Sequence, residues 1–227
     1  MAMKAHAAVL KAVWLAAVSL GATAAAAAEA PVWTEAPSVA DVAAAYPAKA
    51  KAAGAGGLVN LTCTLNHEGR PRSCLALGEK PSGMGFGFAA KKLAEKLRTD
   101  APGMNGQEVG IPVTFDPKVL AGQAQVRAPA WAALPAAQDF QASFPKSANG
   151  VNDVRVTLVC TVAAGGALEG CAVDREEPAG QGYGAGALAL APKIRVGLWG
   201  LDGEPVVGAK VRVPLHYQLT QAQAPAN

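Results

Sequence analysis

Two copies of one segment follow each other in the sequence, and this internal repeat constrains the fold more than any other feature. Pro37, Asp41 and Pro47 recur as Pro135, Asp139 and Pro145, an offset of 98 (135 − 37). A repeating unit this long exceeds the ~20–45 residues of solenoid units, so each copy is predicted to be a domain. At an offset of 97 (156 − 59), the sequence matches Val59, Leu61, Cys63, Gly69, Cys74, Glu79, Pro81, Gly83, Gly85, Phe86 and Gly87 to Val156, Leu158, Cys160, Gly166, Cys171, Glu176, Pro178, Gly180, Gly182, Tyr183 and Gly184.

The ends of the two copies also match, after five extra residues in the second copy. Gly106, Val109, Pro112 and Phe115 correspond to Gly208, Val211, Pro214 and Tyr217. The chain is therefore divided into repeat 1 over residues 31–117, a linker over 118–128 and repeat 2 over 129–219.

The spacing of apolar residues gives both copies the same order of elements. Residues 37–45 are predicted to form a short helix capped by Ser38, and residues 86–97 show a helical spacing of apolar side chains. Residues 59–65 and 109–115 alternate as half-buried strands, and 73–77 supply the returning strand of a hairpin. The prediction is an α+β protein with two tandem α-β-β-α-β domains. Each domain has a three-stranded antiparallel sheet covered by helices on one face, with its third strand at an edge.

The four cysteines are placed symmetrically within the two predicted hairpins. Cys63 and Cys74 are equidistant from Glu68-Gly69, and Cys160 and Cys171 from Gly165-Gly166. Both dipeptides suit a two-residue turn, which would place the Cβ atoms of each pair about 4.5–5.5 Å apart. The spacing thus predicts two local disulfides, Cys63–Cys74 and Cys160–Cys171. A longer loop remains open, and the competing interpretation is four buried free thiols.

The N-terminus has the pattern of a secretory signal. Lys4 and Lys11 precede an apolar stretch over 12–28 that ends in small residues. We predict a cleavable signal peptide over 1–28, a periplasmic location and no stable membrane insertion of the mature chain. The competing interpretation is an uncleaved segment that anchors the chain in the inner membrane.

Charge and histidine placement exclude several classes of function. Basic and acidic residues are interspersed and the net charge is +3, which argues against a nucleic-acid partner. His67 and His216 are not at ligand spacing to the cysteines, and neither is placed as the oriented base of a hydrolase. We therefore predict no metal, no cofactor and no enzymatic activity.

Two repeated motifs resemble chemical sites but favour structural roles. The Gly83-x-Gly85-x-Gly87 segment lacks the parallel βαβ context of a phosphate-binding loop, so it is interpreted as a tight connection from strand to helix. The repeated Glu79 and Glu176 are predicted to cap helices or pair with arginine. Trp33 and Trp131 are predicted to pack in the core or between domains.

The repeated residues resemble those of the TonB C-terminal domain family, in its cysteine-containing variety. In repeat 1 the resemblance lies in Val59–Leu65, Gly69, Cys74, Glu79, Pro81–Gly87 and Gly106–Phe115. It implies the α-β-β-α-β fold and a role in binding peptide segments of outer-membrane transporters, whose strand is added to the sheet. The chain departs from an energy-transducing member because it has no long Pro-rich spacer, which argues against force transmission across the periplasm.

The function expected from this resemblance is a periplasmic TonB-like peptide-binding or accessory module, whose partner is a peptide of a TonB-dependent outer-membrane receptor. The alternative is a periplasmic structural or assembly protein that keeps the fold without the transport role. Pro112 and Pro214 mark the third strands as edges, because proline lacks an N–H and is tolerated mainly there. The candidate peptide-binding residues on these edges are Val113, Thr114, Phe115, Leu215, His216 and Tyr217.

Overall fold

The structure is a computed structural model that describes residues 31–145 and 153–218. The predicted signal peptide and Leu219, the last residue assigned to repeat 2, lie outside the described residues. Within repeat 1 the elements are α1 (Val39–Ala45), α2 (Ala48–Ala52), β1 (Gly57–Leu65), β2 (Pro71–Lys80), α3 (Phe86–Ala94) and β3 (Glu108–Phe115). Its three strands form an antiparallel sheet in the order β2-β1-β3, so β3 is at an edge as predicted.

The second half repeats this order with additions. After a 3₁₀ helix (Pro117–Ala121) come β4 (Gln125–Val126), β5 (Trp131–Ala133), α4 (Ala137–Ala142), β6 (Asp153–Val162), a 3₁₀ turn (Ala164–Gly166), β7 (Leu168–Glu177), α5 (Tyr183–Leu190), a 3₁₀ turn (Ala191–Lys193), β8 (Arg195–Val196) and β9 (Lys210–Gln218). Its main sheet has the order β4-β9-β6-β7, and β5 pairs with β8. The protein is therefore α+β with mainly antiparallel sheets, but the second sheet has four strands instead of the predicted three. The extra strand β4 comes from the predicted linker and pairs with β9 in parallel.

Local sequence explains the elements of repeat 1. The Ser38 hydroxyl accepts a hydrogen bond from the Asp41 N–H (3.1 Å), and the Asp41 carboxylate accepts one from the Ser38 N–H (2.8 Å). This capping box begins α1 where the sequence predicted it. Every second residue of β1 from Val59 to Leu65 is buried beneath α3, which is the alternation expected for a sheet with one covered face.

The predicted two-residue turns are wrong, although the cysteine pairs that they implied are correct. A five-residue loop, Asn66–Arg70, joins β1 to β2, because the Asn66 side chain accepts from the N–H groups of Glu68 and Arg70 and holds a wider turn. A bulge at Ser73, whose φ is 50°, then restores the cysteines to opposite positions. The structure has both predicted disulfides, Cys63–Cys74 (2.00 Å) and Cys160–Cys171 (2.05 Å).

Both hairpin loops pack against the chain that follows the helix after the hairpin, α3 in the first half and α5 in the second. Gly69 has a φ of 71°, and a Cβ there would lie 1.8 Å from the Thr99 carbonyl oxygen. Gly166 has a φ of 76°, and its Cβ would lie 2.0 Å from the Val196 carbonyl oxygen. The glycines recur because only a residue without a side chain permits this approach.

The two halves share one continuous cluster of buried apolar side chains. The Val39 N–H, at the start of α1, donates to the Val207 carbonyl in the second half (2.8 Å). Among the described residues, no helix has the length and apolar character needed to cross a membrane.

Candidate functional site

The repeated glutamates bond the backbone N–H groups of the glycine-rich segments that precede α3 and α5. One oxygen of Glu79 accepts hydrogen bonds from the N–H groups of Met84 (3.1 Å), Gly85 (2.9 Å) and Phe86 (3.1 Å). Glu176 accepts from Gln181 (3.1 Å) and Tyr183 (2.9 Å) in the same way. Burial raises the pKa of Glu79, but the backbone donors together lower it below its usual value. The predicted capping role is confirmed, and the amides that an anion would need are already bonded.

Each half has a cluster of aromatic rings that contains the last core-facing residue of its third strand. In the first half Phe115 contacts Tyr46 and Phe86, with ring centroids 5.6 and 4.9 Å away. In the second half Tyr217 lies 5.4 Å from Phe144 and 4.9 Å from Tyr183. Burial raises the pKa of Tyr217. Phe115 and Tyr217 thus face the core, as do Val113 and Leu215.

The β3 edge is covered by a hairpin from the second half. This docking hairpin, residues 199–205, is closed by a bridge between Trp199 and Pro205. The Thr114 N–H donates to the Gly203 carbonyl (2.8 Å), and the Thr114 hydroxyl donates to the Asp202 carbonyl (2.6 Å). The indole N–H of Trp199 donates to the Pro112 carbonyl (3.0 Å). The outward carbonyl of Pro112 and the outward N–H of Thr114, which an incoming strand would need along the predicted binding residues, are therefore already bonded.

Close packing and an ion pair hold the docking hairpin in place. A Cβ on Gly203 would lie 2.4 Å from the backbone carbonyl of Pro112, so the two chains touch at backbone distance. Glu204 is buried and bonds the Arg127 guanidinium, with 2.7 Å between Nε and Oε1. This contact raises the pKa of Arg127. The hairpin is thus tied to both β3 and the segment that connects the halves.

The β9 edge is covered over only part of its length. The Lys210 N–H points away from β6 and donates to the Ala124 carbonyl beside β4 (2.9 Å). Because the register between β6 and β9 is continuous, the backbone groups of every second residue point the same way, which includes Pro214 and His216. The pairing with β4 ends at Val211. Within the described ranges, no backbone group bonds the outward carbonyl of Pro214 or the outward N–H of His216.

An apolar hollow of about 280 Å³ lies directly beside this open edge. Val213, Pro214, Leu215 and His216 form one wall. The opposite side is formed by Trp131, Leu134, Pro135, Phe140 and Ile194. Leu134 is 66% exposed and Trp131 is 36% exposed, so two large apolar side chains are partly uncovered at its rim.

A second apolar hollow, of about 160 Å³, lies on another side of Trp131. Trp33, Trp131, Trp199 and Leu201 are among its lining residues. Trp33 packs against the buried cluster, as the sequence predicted, whereas the other repeated tryptophan, Trp131, is partly exposed and lines both hollows. A third hollow, of about 310 Å³, separates the polar loops 66–69 and 98–105 and contains no open strand edge.

The structure separates the two predicted edges, which the sequence had treated as equivalent. Thr114 is engaged by the docking hairpin, whereas His216 borders an open edge and a hollow. The sequence contained one signal for this difference, because the five extra residues of the second repeat fall within the segment that forms the hairpin. The roles of Trp199 and Gly203 were not predicted, since neither has a counterpart in repeat 1.

Comparison with known proteins adds no assignment. No protein-family model matches the sequence, and no curated protein matches it.

Proposed function

We propose that the protein is a peptide-binding module that adds an extended segment of a partner to the β9 edge, along Leu215, His216 and Tyr217. The open carbonyl of Pro214 and N–H of His216 carry the proposal, because strand addition needs unpaired backbone groups beside room for side chains. No catalytic step is assigned to the site.

The partner that we propose is a periplasmic peptide segment of a TonB-dependent outer-membrane receptor. The support is the resemblance of both repeats to the TonB C-terminal domain family, together with the secretory pattern of residues 1–28. In this proposal the mature chain is periplasmic and consists of two tandem domains of that family. The chain acts as an accessory in transport, because it lacks the Pro-rich spacer of a force transmitter.

The two domains have different roles in this proposal. Domain 1 uses its β3 edge to hold the docking hairpin, so Pro112 and Thr114 bind the chain's own second half. This internal use of an edge also favours a second candidate function, in which the protein is a structural or assembly component of the periplasm. The two functions differ in whether the β9 edge captures a peptide.

Amide chemical-shift mapping with a receptor peptide tests the proposed function. We expect shifts at Leu215, His216 and Tyr217, and no shift at the Thr114 amide, which is bonded to the Gly203 carbonyl. His216→Pro removes one outward N–H and should weaken binding about fivefold, since a lost hydrogen bond is worth about 1 kcal/mol. His216→Gln keeps the N–H and is the matched control.

Shifts confined to the helices, or no binding of any receptor peptide tried, would favour the structural role. Equal losses in both His216 variants would show that the side chain, and not the backbone N–H, makes the contact.

A further inference from the structure

The open β9 edge is continuous with an apolar surface centred on one side chain. Trp131 lines both the hollow beside β9 and the hollow formed with Trp33 and Leu201. We call this surface the Trp131 groove. Leu134 and Leu201, at its two ends, are 66% and 69% exposed. Four large exposed apolar side chains lie along the groove, namely Val32, Trp131, Leu134 and Leu201.

A strand paired with β9 would direct its side chains to the two faces of the sheet in alternation. One set would lie on the same face as Val213 and Leu215, which line the hollow, and would therefore point into the Trp131 groove. The other set would lie beside His216 and Arg155, on the exposed face. The groove thus meets only every second residue of an added peptide.

The position of the groove favours a peptide strand as its occupant. The open edge continues the interface in which β4 already pairs with the first two residues of β9. The equivalent edge of the first half is covered by a segment that bonds Pro112 and Thr114 and buries an aromatic residue, Trp199. The first half therefore shows, within this chain, the kind of segment that such an edge accepts.

A second copy of the chain is not the proposed occupant, because its first half has no segment that resembles the docking hairpin. The loop of repeat 1 that corresponds to the docking hairpin, residues 99–106, is five residues shorter and contains no aromatic residue.

We propose that the Trp131 groove is a specificity site, which selects extended peptides carrying bulky apolar side chains at alternate positions. This inference rests on the proposed function and deepens it, because it names the class of peptide that the β9 edge binds. Backbone pairing with Pro214 and His216 supplies the register, and the groove supplies the selection. The groove discriminates between peptides because a small or polar peptide side chain leaves Trp131 and Leu134 exposed to water.

Two synthetic peptides test the selection, measured by isothermal titration with the purified protein. One alternates threonine with leucine, the other alternates threonine with serine, and each has a lysine at both ends. We expect the leucine peptide to bind at least about tenfold more tightly, which is the range for buried apolar contacts at a hot spot. Leu134→Ser should reduce this ratio severalfold. Leu77→Ser, at a similarly exposed leucine in β2, should leave it unchanged.

His216→Pro separates failure of the selection from failure of the proposed function. If the two peptides bind equally, with binding lost in His216→Pro and unaffected by Leu134→Ser, the specificity site is overturned. That result would leave the proposed strand addition in place. Absence of binding by either peptide, or binding unaffected by His216→Pro, would overturn both.

Two further outcomes would assign the groove to a different occupant and overturn the proposal. One is binding to vesicles of phosphatidylethanolamine and phosphatidylglycerol that Leu134→Ser abolishes, without peptide binding. The other is self-association in sedimentation that the same variant abolishes.

Discussion

At the scale of single residues, the aromatic clusters of the two halves differ in how their tyrosine hydroxyl groups are hydrogen-bonded. The Tyr46 hydroxyl donates to the Ala55 carbonyl (2.7 Å) beside Phe86 and Phe115. In the second half the tyrosines are Tyr183 and Tyr217, and the buried Tyr183 hydroxyl has no hydrogen-bond partner among the described residues. Phe86, at the position that corresponds to Tyr183, shows that a ring without a hydroxyl fits there.

Tyr183→Phe is therefore expected to raise the free energy of unfolding by about 1 kcal/mol, because it removes a buried hydroxyl that makes no bond. Tyr46→Phe deletes a hydroxyl that does make one and should lower it by about 1 kcal/mol. Urea denaturation of the two variants measures both values. A loss of stability in Tyr183→Phe would mean that its hydroxyl is bonded.

Glu79 should make stability depend on pH. Its pKa is lowered in the folded state, so its contribution is present above the unfolded-state pKa and is lost as the pH falls through the folded-state pKa. Glu79→Gln should lower the free energy of unfolding by about 1 kcal/mol at neutral pH, since the amide is a weaker acceptor than the carboxylate. The difference from the parent should vanish in acid, below the ordinary carboxyl range.

Denaturation curves at several pH values test the effect of Glu79, with Glu95→Gln as the control at an exposed carboxylate. A difference that persists unchanged in acid would contradict the charge-dependent explanation.

At the scale of elements, each disulfide lies within one hairpin and joins cysteines 11 residues apart. Closing so short a loop restricts the unfolded chain and so raises the free energy of unfolding by about 3 kcal/mol at most per bridge. Reduction should therefore lower the unfolding midpoint while the fold persists, which circular dichroism and denaturation with and without reductant would show. Collapse of the sheet signal on reduction would contradict this expectation.

The elements that the sequence predicted were those set by local chemistry. The capping box of Ser38 and Asp41 places α1, and the alternation along β1 places the core face, because both signals lie within a few residues. The two-residue turn was wrong, and the longer loop that the sequence left open is present, because the Asn66 side chain widens the turn, a contact that dipeptide preferences do not contain. The covered β3 edge was missed because Gly203 and Trp199 come from the other half of the chain.

At the scale of the whole molecule, the docking hairpin joins two halves that are otherwise built alike. Gly203 has a φ of 81° and lies against the Pro112 backbone, so Gly203→Ala combines backbone strain with a clash. The variant should lower the free energy of unfolding by about 2 kcal/mol and should speed hydrogen exchange at the Thr114 amide.

Gly103→Ala is the matched control for the docking hairpin, because Gly103 has a φ of 75° and nothing lies within 4 Å of its Cβ position. Equal effects of the two substitutions on Thr114 exchange would show that strain, and not the contact with Pro112, accounts for the loss.

The covered β3 edge also has a consequence for the order of folding during synthesis. Trp199 and Asp202 follow their partners in β3 by 87 and 88 residues, so the first sheet is complete well before its cover emerges. During that interval the unpaired edge is a template for pairing with other chains, and Pro112 interrupts its run of donors. The β3 edge therefore reaches its protected state only after most of the second half has been synthesised, which makes the docking hairpin an intramolecular protection against aggregation.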